Sequence, residues 1–197
     1  MMKIAEYTKV SEDDYLALEV RSPVRHEYVC GDVYAMTGAS LRHNVIAGNV
    51  FALLRAHLRG TPCRAFVADA KLRIAKAGAY YYPDVMVTCD PRHLTVGSED
   101  QVVETPKLVV EVLSTSTEAV DRREKLIAYR GIPSLQEYVL VAQDEARIEI
   151  HRRHGDIGWE IVTLTPGDPV ELKSLEFASD FPAIYEETGL VPGGVAG

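Results

Sequence analysis

The sequence predicts an α/β fold in which a mixed central sheet carries helices on its faces. Segments with helical periodicity alternate with β-prone segments, and one helical segment lies between strands near the middle of the chain. The apolar run at residues 108–113 is nearly unbroken, which is typical of a strand buried on both faces. A chain of 197 residues, 47% of them hydrophobic, is long enough to form one such domain.

The N-terminal region, residues 11–36, predicts a helix followed by a hairpin. Ser11 is a candidate N-cap before an acidic first turn, and the predicted helix ends near Arg21. Two β-prone runs then flank a Gly-Asp turn at residues 31–32, which is the pattern of a short hairpin. We therefore expect a helix and a hairpin added in front of the core.

The core of the domain is predicted over residues 40–142. Apolar residues recur at steps of three and four between Ser40 and Gly60, which indicates a long helix. Residues 63–75 and 79–89 are both β-prone and flank a turn. We expect them to pair as the two strands of a hairpin.

The second half of the chain predicts one helix and several strands. After a polar loop and the strand 108–113, Ser114 and the next three hydroxyl residues are candidate N-caps for a helix from about Glu118 to Arg130. Three β-like runs follow, at residues 137–142, 147–152 and 159–164. We predict a single domain over residues 1–190, with a C-terminal β extension at 146–187 and a flexible tail at 191–197.

The formal net charge of the chain is −8, from 21 Lys and Arg against 29 Asp and Glu. An acidic balance at first argues against a nucleic-acid partner, since such proteins usually carry an excess of basic residues. However, residues 1–130 hold 17 basic and 17 acidic side chains, and residues 131–197 hold 4 and 12. The excess therefore lies in the last third, which can be a solvated surface or face a protein partner.

The cysteines and the N-terminus predict a cytoplasmic protein. Cys30, Cys63 and Cys89 are an odd set without a CxxC spacing, so we expect neither a zinc site nor a disulfide framework, and a reducing interior fits best. The first ten residues lack the apolar run of a signal peptide. No stretch approaches the roughly 18 uninterrupted apolar residues of a membrane helix.

Two acidic residues, Asp84 and Glu111, interrupt apolar β-prone runs. Burying a carboxylate is costly unless it is paired or bound to a metal. If the two strands are neighbours, both side chains can point to the same face and offer oxygen ligands to a cation such as Mg²⁺. In the alternative, each acid pairs with a nearby arginine or backbone turn, or one faces solvent at a sheet edge.

A polar stripe follows on the helix after the Glu111 strand. Asp121, Lys125 and Tyr129 are spaced by four residues and therefore lie on one helix face. From this face Lys125 can reach a metal held by the two acids. The alternative for Lys125 is an ordinary surface ion pair with Asp121, and Tyr129 can either pack or form a hydrogen bond.

The ordered set of motifs resembles the PD-(D/E)XK nuclease superfamily, and more narrowly the bacterial Uma-two family of restriction-endonuclease-like proteins. The resemblance covers roughly residues 10 to 150. It rests on residues 26–28 and 31–36, His43, residues 69–72, residues 82–87, residues 111–114, Lys125 and Tyr129. It implies a restriction-endonuclease-like core, a DNA partner and a homodimer, because such nucleases often cut two strands.

The resemblance also implies the chemistry of the site. Asp84 and Glu111 would hold Mg²⁺, with Mn²⁺ as a substitute, and Lys125 would assist the water that attacks a phosphodiester. The chain departs from the superfamily at Leu113, because that strand position is usually lysine. The resemblance implies that Lys125 supplies the missing amine from the following helix. The departure keeps a second function open, that of a catalytically inactive module which binds nucleic acid or protein.

Glu27 is a further predicted catalytic residue, and His43 and Asp69, like Tyr129, are accessory candidates. Glu27 is a candidate for a further acid that binds the metal directly or through water, or else an exposed strand residue. His43 begins the long helix and can contact phosphate or orient a water, although a lone histidine in a first turn is more often structural. Asp69 can face the same site or lie beside Lys71 across the pleat of its strand.

Arginines on two helices are candidate phosphate contacts. We single out Arg122 and Arg123 on the helix after the Glu111 strand, and Arg42 at the start of the long helix. In the alternative, these arginines belong to solvated helix faces and are balanced by neighbouring acids. No zinc-finger, recognition-helix or RNA-binding signature is present in the sequence.

Overall fold

The computed structural model describes residues 9–36, 38–94, 102–114, 118–155 and 157–191. It contains a six-stranded mixed sheet, a five-stranded sheet packed beside it, and helices on both faces of the larger sheet. The predicted α/β class is confirmed. Of the predicted tail, residues 192–197 lie outside the described part of the chain.

The N-terminal helix and hairpin form as predicted, except that the hairpin turns at residues 30–31 and Asp32 already belongs to its second strand. Helix α1 (Glu12–Arg21) begins at Ser11, whose Oγ accepts a hydrogen bond from the Asp14 backbone. Strands β1 (His26–Val29) and β2 (Asp32–Ala35) then pair antiparallel. Gly31 in their turn has φ +93°, and a Cβ there would lie 2.7 Å from Cβ of Lys9, so glycine is required both for conformation and for space.

The predicted long hairpin is broken in both of its strands. Residues 63–75 form β3 (Arg64–Val67) and β4 (Lys71–Ile74), whereas residues 79–89 form β5 (Ala79–Tyr81) and β6 (Val85–Thr88). One break contains Ala68 in the left-handed region, at φ 52°, and the other contains Pro83, which cannot donate to a ladder. The prediction of two continuous strands was therefore wrong, although the pairing across the hairpin is correct.

Because of these breaks, the hairpin passes through both sheets. Its outer strands β3 and β6 belong to the large sheet, in the order β11-β10-β9-β8-β6-β3. Its inner strands β4 and β5 belong to the small sheet, in the order β2-β1-β5-β4-β7. The short strand β7 (Val102–Val103) pairs parallel with β4 and was not predicted in the polar loop.

The large sheet is mixed, as predicted. Strand β8 (Leu108–Leu113) runs antiparallel to β6 and parallel to β9 (Glu137–Ala142). Strands β10 (Ile148–His154) and β11 (Gly158–Leu164) extend the sheet antiparallel. The C-terminal region therefore continues the central sheet and ends in the strand pair β12 (Val170–Leu172) and β13 (Phe177–Ser179), followed by the short helix α5 (Phe181–Ile184).

Each face of the large sheet is covered by a different helix. Helix α2 (Leu41–His57) begins at the N-cap Ser40 and packs Ile46, Val50 and Leu54 on one face, together with the C-terminal elements. The opposite face packs against the helical segment 118–130 and the small sheet.

The helical segment 118–130 connects the parallel strands β8 and β9. It consists of α3 (Glu118–Val120), a π-helical stretch (Asp121–Lys125) and α4 (Leu126–Arg130). Tyr138 donates a hydrogen bond to the Asp121 carbonyl at 3.2 Å, so this carbonyl in the widened turn has a partner. Single π turns inside helices are frequent at functional sites.

The expectation that no cysteines are bridged was wrong. Cys63 and Cys89 form a disulfide, and the register of β3 and β6, which pairs Arg64 with Thr88, places the two cysteines opposite each other. They are 26 residues apart and share no motif, so only the strand register brings them together. Cys30 is free and exposed. Within the described ranges, no helix is long and apolar enough to span a membrane.

Candidate active site

Asp84 and Glu111 lie side by side where the large sheet meets the small one. The register pairs Val85 with Val110, so Asp84, just before β6, is opposite Glu111 in β8. The Asp84 backbone N–H donates to Glu111 Oε2 at 3.3 Å, and Asp84 Oδ2 accepts from the Val112 backbone at 2.7 Å. Two backbone donors therefore orient the two carboxylates on adjacent strands.

The alternation of β8 explains why Glu111 is buried on the site face. Leu108, Val110 and Val112 pack towards α2, whereas Val109 and Leu113 pack towards the helical segment 118–130. Glu111 falls on this second face because side chains of a strand alternate. The helical segment covers Glu111 and supplies its polar partners.

Lys125 is the cation at the centre of this site. Its Nζ atom lies 3.0 Å from Glu27 Oε1, 3.2 Å from Glu111 Oε1 and 3.2 Å from Asp121 Oδ1, and its side chain is only 7% exposed. Burial lowers the pKa of Lys125, but the charges of Glu111, Glu27 and Asp121 raise it further, so the net pKa is well above the ordinary value. The amine therefore remains charged at neutral pH.

The site carries more negative charge than its lysine can neutralise. The carboxylates of Glu27, Glu111 and Asp121 surround the Lys125 ammonium group, and that of Asp84 lies in the same cleft beside Glu111. Burial raises the pKa of Glu111, Lys125 lowers it, and the other three acids raise it again, so the net pKa is well above the ordinary value. Asp121 Oδ1 is within ion-pair distance of Lys125 but has no hydrogen-bond partner of suitable geometry among the described residues.

Tyr129 fixes the orientation of Glu111. Its hydroxyl donates to Glu111 Oε1 at 2.8 Å, and its ring packs edge-on against Tyr81 and Tyr138. Burial and the charge of Glu111 raise the pKa of Tyr129 well above its ordinary value, so the hydroxyl remains a donor. Tyr129 therefore forms a hydrogen bond within the site rather than only packing in the core.

His43 contacts Asp84 from the first turn of α2. Its Nε2 atom lies 3.2 Å from Asp84 Oδ2. Burial lowers the pKa of His43, but the hydrogen bond and the charge of Asp84 raise it more strongly, so the net shift is upward. Helix α2 thus places a second basic side chain, after Lys125, next to the acidic cluster formed by Glu27, Asp84, Glu111 and Asp121.

Glu19 on α1 is a buried acid that the sequence does not single out. It accepts hydrogen bonds from the His26 backbone at 3.1 Å, from His26 Nδ1 at 2.8 Å and from the Tyr82 hydroxyl. His26 precedes Glu27, and Tyr82 lies two residues before Asp84. Glu19 therefore ties together the two segments that carry these site acids.

Asp69 does not join the cluster. It lies in the break between β3 and β4, is 80% exposed, and is 3.5 Å from Arg25. Lys71 also differs from expectation, because it is buried and its Nζ atom lies over the rings of Tyr15 and Tyr82. Asp69 and Lys71 were expected to lie beside each other on one face of a continuous strand. They do not, because the strand is broken between Val67 and Lys71.

The three predicted phosphate-binding arginines differ in their surroundings. Arg122 is paired with Glu118 at 2.7 Å and with Glu149 at 2.9 Å, so its charge is already neutralised. Arg42 is 3.8 Å from Asp144 at the start of α2. Arg123 is exposed on the helical segment 118–130.

The acidic cluster lies in a cleft of about 440 Å³. Its walls come from the hairpin β1-β2, the start of α2, the segment before β6, the end of β8 and the helical segment 118–130. Ser40 closes one side by donating to Gln143 Oε1 at 2.8 Å. The cleft is therefore assembled from both sheets and from two helical elements.

The donor set suits a hard divalent cation in charge and ligand type. Among the described residues, no three His, Cys, Asp or Glu side chains are already placed to hold a metal. The ammonium of Lys125 instead lies among Glu27, Glu111 and Asp121. Mg²⁺ is usually bound by only one or two carboxylates and keeps several waters, so Asp84 and Glu111 suffice as protein ligands. The excess negative charge gives a physical reason for a cation there.

Comparison with known sequences places the chain among related proteins. The family model Uma2, described as "Putative restriction endonuclease", matches residues 12–181. The "Uncharacterized protein slr1290" of Synechocystis sp. is 39% identical over 181 residues, which cover 92% of this chain and 94% of that protein. The "Uncharacterized protein sll1609" of the same organism is 35% identical over 173 residues, covering 88% and 97% respectively.

A solved structure shares the fold. The crystal structure described as a putative nuclease belonging to DUF820, from Anabaena variabilis, superposes with a TM-score of 0.72. The alignment covers 88% of this chain and 96% of that one, at 16% sequence identity. At this identity the similarity concerns the arrangement of the elements.

Proposed function

This chain belongs to the Uma2 family, and we propose that it is a metal-dependent endonuclease that hydrolyses phosphodiester bonds in DNA. The observation that carries the proposal is the contact between Asp84 and Glu111 on neighbouring strands, with Lys125 3.2 Å from Glu111. Buried carboxylates in excess over their counter-charge favour a bound cation, and phosphodiester hydrolysis is chemistry that such a cation supports.

Asp84 and Glu111 would hold Mg²⁺, or Mn²⁺ in its place. When bound, the ion would lower the pKa of a coordinated water and offset charge on the phosphate. Lys125, kept charged by its neighbours, would donate hydrogen bonds to the attacking water or to a non-bridging phosphate oxygen. Glu27 would hold Lys125 in place or contact the cation through water.

The remaining polar groups orient these residues. Tyr129 fixes Glu111, and the Val112 backbone and His43 both contact Asp84 Oδ2. Such outer contacts set the direction of the ligand oxygens and commonly change metal affinity or activity by 10- to 100-fold when removed. Arg42 and Arg123 are exposed and would contact DNA phosphates outside the cleft.

Lys125 can take the place of the lysine that is absent at position 113. Leu113 is buried in the apolar cluster beside Tyr129 and Leu140. Lys125 reaches Glu111 from the helical segment instead. An amine delivered from a neighbouring element serves the same electrostatic purpose as one from the strand itself, because its effect depends on its distance from the reacting atoms.

A nuclease assay tests the proposal directly. Purified protein should cleave DNA with Mg²⁺ or Mn²⁺, and Asp84→Asn and Glu111→Gln should each lower the rate by more than about 100-fold, beyond the usual effect of an outer contact. Asp69→Asn is the matched control, because Asp69 is an exposed acid outside the cleft. Equal cleavage by the parent and both site variants would refute the assignment.

A second function, that of a non-catalytic module that binds nucleic acid or protein, is favoured by one observation. The Lys125 ammonium pairs with three carboxylates of the protein itself, so the fold can use this charge cluster for stability alone. Calorimetric titration with Mn²⁺ separates the two functions. Binding by the parent that is lost in Asp84→Asn supports the nuclease, and no binding by the parent favours the module.

The proposal includes a cytoplasmic location and a homodimer, and the homodimer is what the resemblance to restriction-endonuclease-like proteins implies. Light scattering of the purified protein should give twice the mass of the 21.8 kDa chain. A monomer at assay concentration would remove the dimer from the proposal without affecting the cleavage test.

A further inference from the structure

An exposed aromatic ring lies at the rim of the cleft. Tyr34 is 55% exposed and lines the cleft, although it is a large hydrophobic residue on the edge strand β2. The register pairs Tyr34 directly with Glu27, whose carboxylate lies 3.0 Å from Lys125 Nζ. Met36, also exposed, lines the same cleft two residues after Tyr34, just beyond the end of β2. Tyr34 and Met36 therefore form an apolar platform at the rim of the cleft. Only the Glu27 side chain separates Tyr34 from Lys125, which we call the charged centre together with Glu111 and Asp121.

The charged centre lies below this platform. The Glu111 side chain is 5% exposed and Asp121 and Lys125 are equally buried, whereas Asp84 is partly accessible. A phosphodiester must therefore pass the rim to reach the acids. Duplex DNA is stiff over about 150 base pairs, so it enters a recess only at the cost of deformation. A single strand bends into the recess without this cost.

Two arginines, Arg25 and Arg42, lie next to residues of the cleft walls. The Arg25 guanidinium lies 5.9 Å from the centre of the Tyr82 ring, which lines the cleft, and its contact with the exposed Asp69 is long, at 3.5 Å. Arg42 lies on the side of Gln143, the other wall, and is 3.8 Å from Asp144. Arginines beside an aromatic ring are the combination that binds single-stranded nucleic acid, by contacts to phosphates and by stacking on bases.

We infer that Tyr34 and Met36 form a base-stacking subsite, and that the substrate is an unpaired strand, either single-stranded or a frayed end. This inference rests on the proposed function for the nature of the ligand and adds the class of nucleic acid. The base before or after the bound phosphate stacks on the Tyr34 ring, while Arg25 and Arg42 contact phosphates on either side. Stacking is tolerant of sequence because every base has a flat face.

Binding without cleavage tests this inference. In an Asp84→Asn background, the affinity for a fluorescent 12-nucleotide single strand and for its duplex is measured by anisotropy. The single strand should bind more tightly, and Tyr34→Ala should weaken its binding by at least about fivefold, the lower limit for loss of one stacked base. Tyr34→Phe should retain the affinity. Ile161→Ala is the matched control, because Ile161 is also 55% exposed on an edge strand but lies outside the cleft.

Several results would overturn the inference. They are equal or tighter binding of the duplex, no binding of either form, and an unchanged single-strand affinity in both Tyr34→Ala and Met36→Ala. If light scattering shows that Tyr34→Ala converts a dimer into a monomer, the rim is a contact between two copies and the inference also fails. If cleavage depends on Asp84 but not on Tyr34, the proposed nuclease function stands and the stacking subsite does not. If single-strand binding depends on Tyr34 but the parent does not cleave, the stacking subsite stands and the proposed nuclease function does not.

Discussion

Lys125 Nζ lies 3.2 Å from Glu111 Oε1, and this contact joins the helical segment 118–130 to the strand that precedes it. Both side chains are almost fully buried. Glu27 and Asp121 complete the shell around the ammonium. The Lys125 ammonium group therefore holds together three elements of the chain. Its removal should lower the stability of the fold as well as the activity of the proposed site.

Lys125→Met should destabilise the protein by about 3 to 5 kcal/mol at pH 7, because it leaves buried carboxylates without their partner. The loss should be smaller at pH 4, because Glu111, whose pKa is raised, is then protonated and carries no charge. Urea unfolding at both pH values measures the difference. Lys76→Met, at an exposed lysine, is the control, and an equal effect of the two substitutions would contradict the central role of Lys125.

Tyr129→Phe should lower Mn²⁺ affinity by about 10- to 100-fold, because Glu111 loses the hydroxyl that orients it. The ring remains in place against Tyr81 and Tyr138, so the cost in stability should be about 1 kcal/mol. Calorimetric titration gives the affinity. Tyr185→Phe also removes a buried hydroxyl, one that donates to backbone carbonyls, and should leave Mn²⁺ binding unchanged.

Glu19→Gln should destabilise the protein by about 2 kcal/mol at pH 7, because the charged acceptor of Tyr82 and His26 is lost. Burial raises the pKa of Glu19, but these hydrogen bonds lower it more, so the net pKa is below its ordinary value. The stability that Glu19 contributes is therefore present above about pH 4.5 and is lost as the pH falls through its lowered pKa.

Unfolding by urea between pH 7 and pH 3 checks this dependence. The difference in stability between the parent and Glu19→Gln should become smaller as the pH falls. Asp13→Asn, on the exposed face of the same helix, should follow the parent over the whole range. A constant difference between the parent and Glu19→Gln would show that the charge of Glu19 is not involved.

The cysteine pairing predicts a specific thiol count. Without reductant, the unfolded chain should react with one equivalent of a thiol reagent, at Cys30, and after reduction with three. Replacing both Cys63 and Cys89 by serine should cost about 3 kcal/mol, the value expected for a bridge that closes a loop of this length. Cys30→Ser should have little effect on stability. Three reactive thiols before reduction would contradict the bridge.

Elements with local signals were predictable from the sequence. Ser11 and Ser40 cap helices that follow them directly, and strand β8 is an apolar run interrupted only by Glu111, so the signals for these elements are local. The breaks in the long hairpin were not predictable. The left-handed Ala68 has no local preference for that conformation and is imposed by the passage of the chain from one sheet to the other.

The site was only partly predictable, because only some of its residues have local sequence signals. Asp84 and Glu111 stand out because acids are rare in apolar runs, and Lys125 is marked by its helical spacing. Glu19 gives no such signal, because its neighbours on α1 include other acids, and only the tertiary contact with Tyr82 shows that it is buried. The bridge between Cys63 and Cys89 likewise depends on strand register, which the sequence does not encode locally.

The broken hairpin also has a consequence for the order of folding. Glu27 belongs to the small sheet, Glu111 to the large one, and Asp84 lies on the segment that crosses between them. Contacts between residues so far apart in sequence close late, because the loops that separate them must first be ordered. A nascent chain that has formed only one sheet holds no complete set of acids, so the proposed cation site would exist only once both sheets have formed.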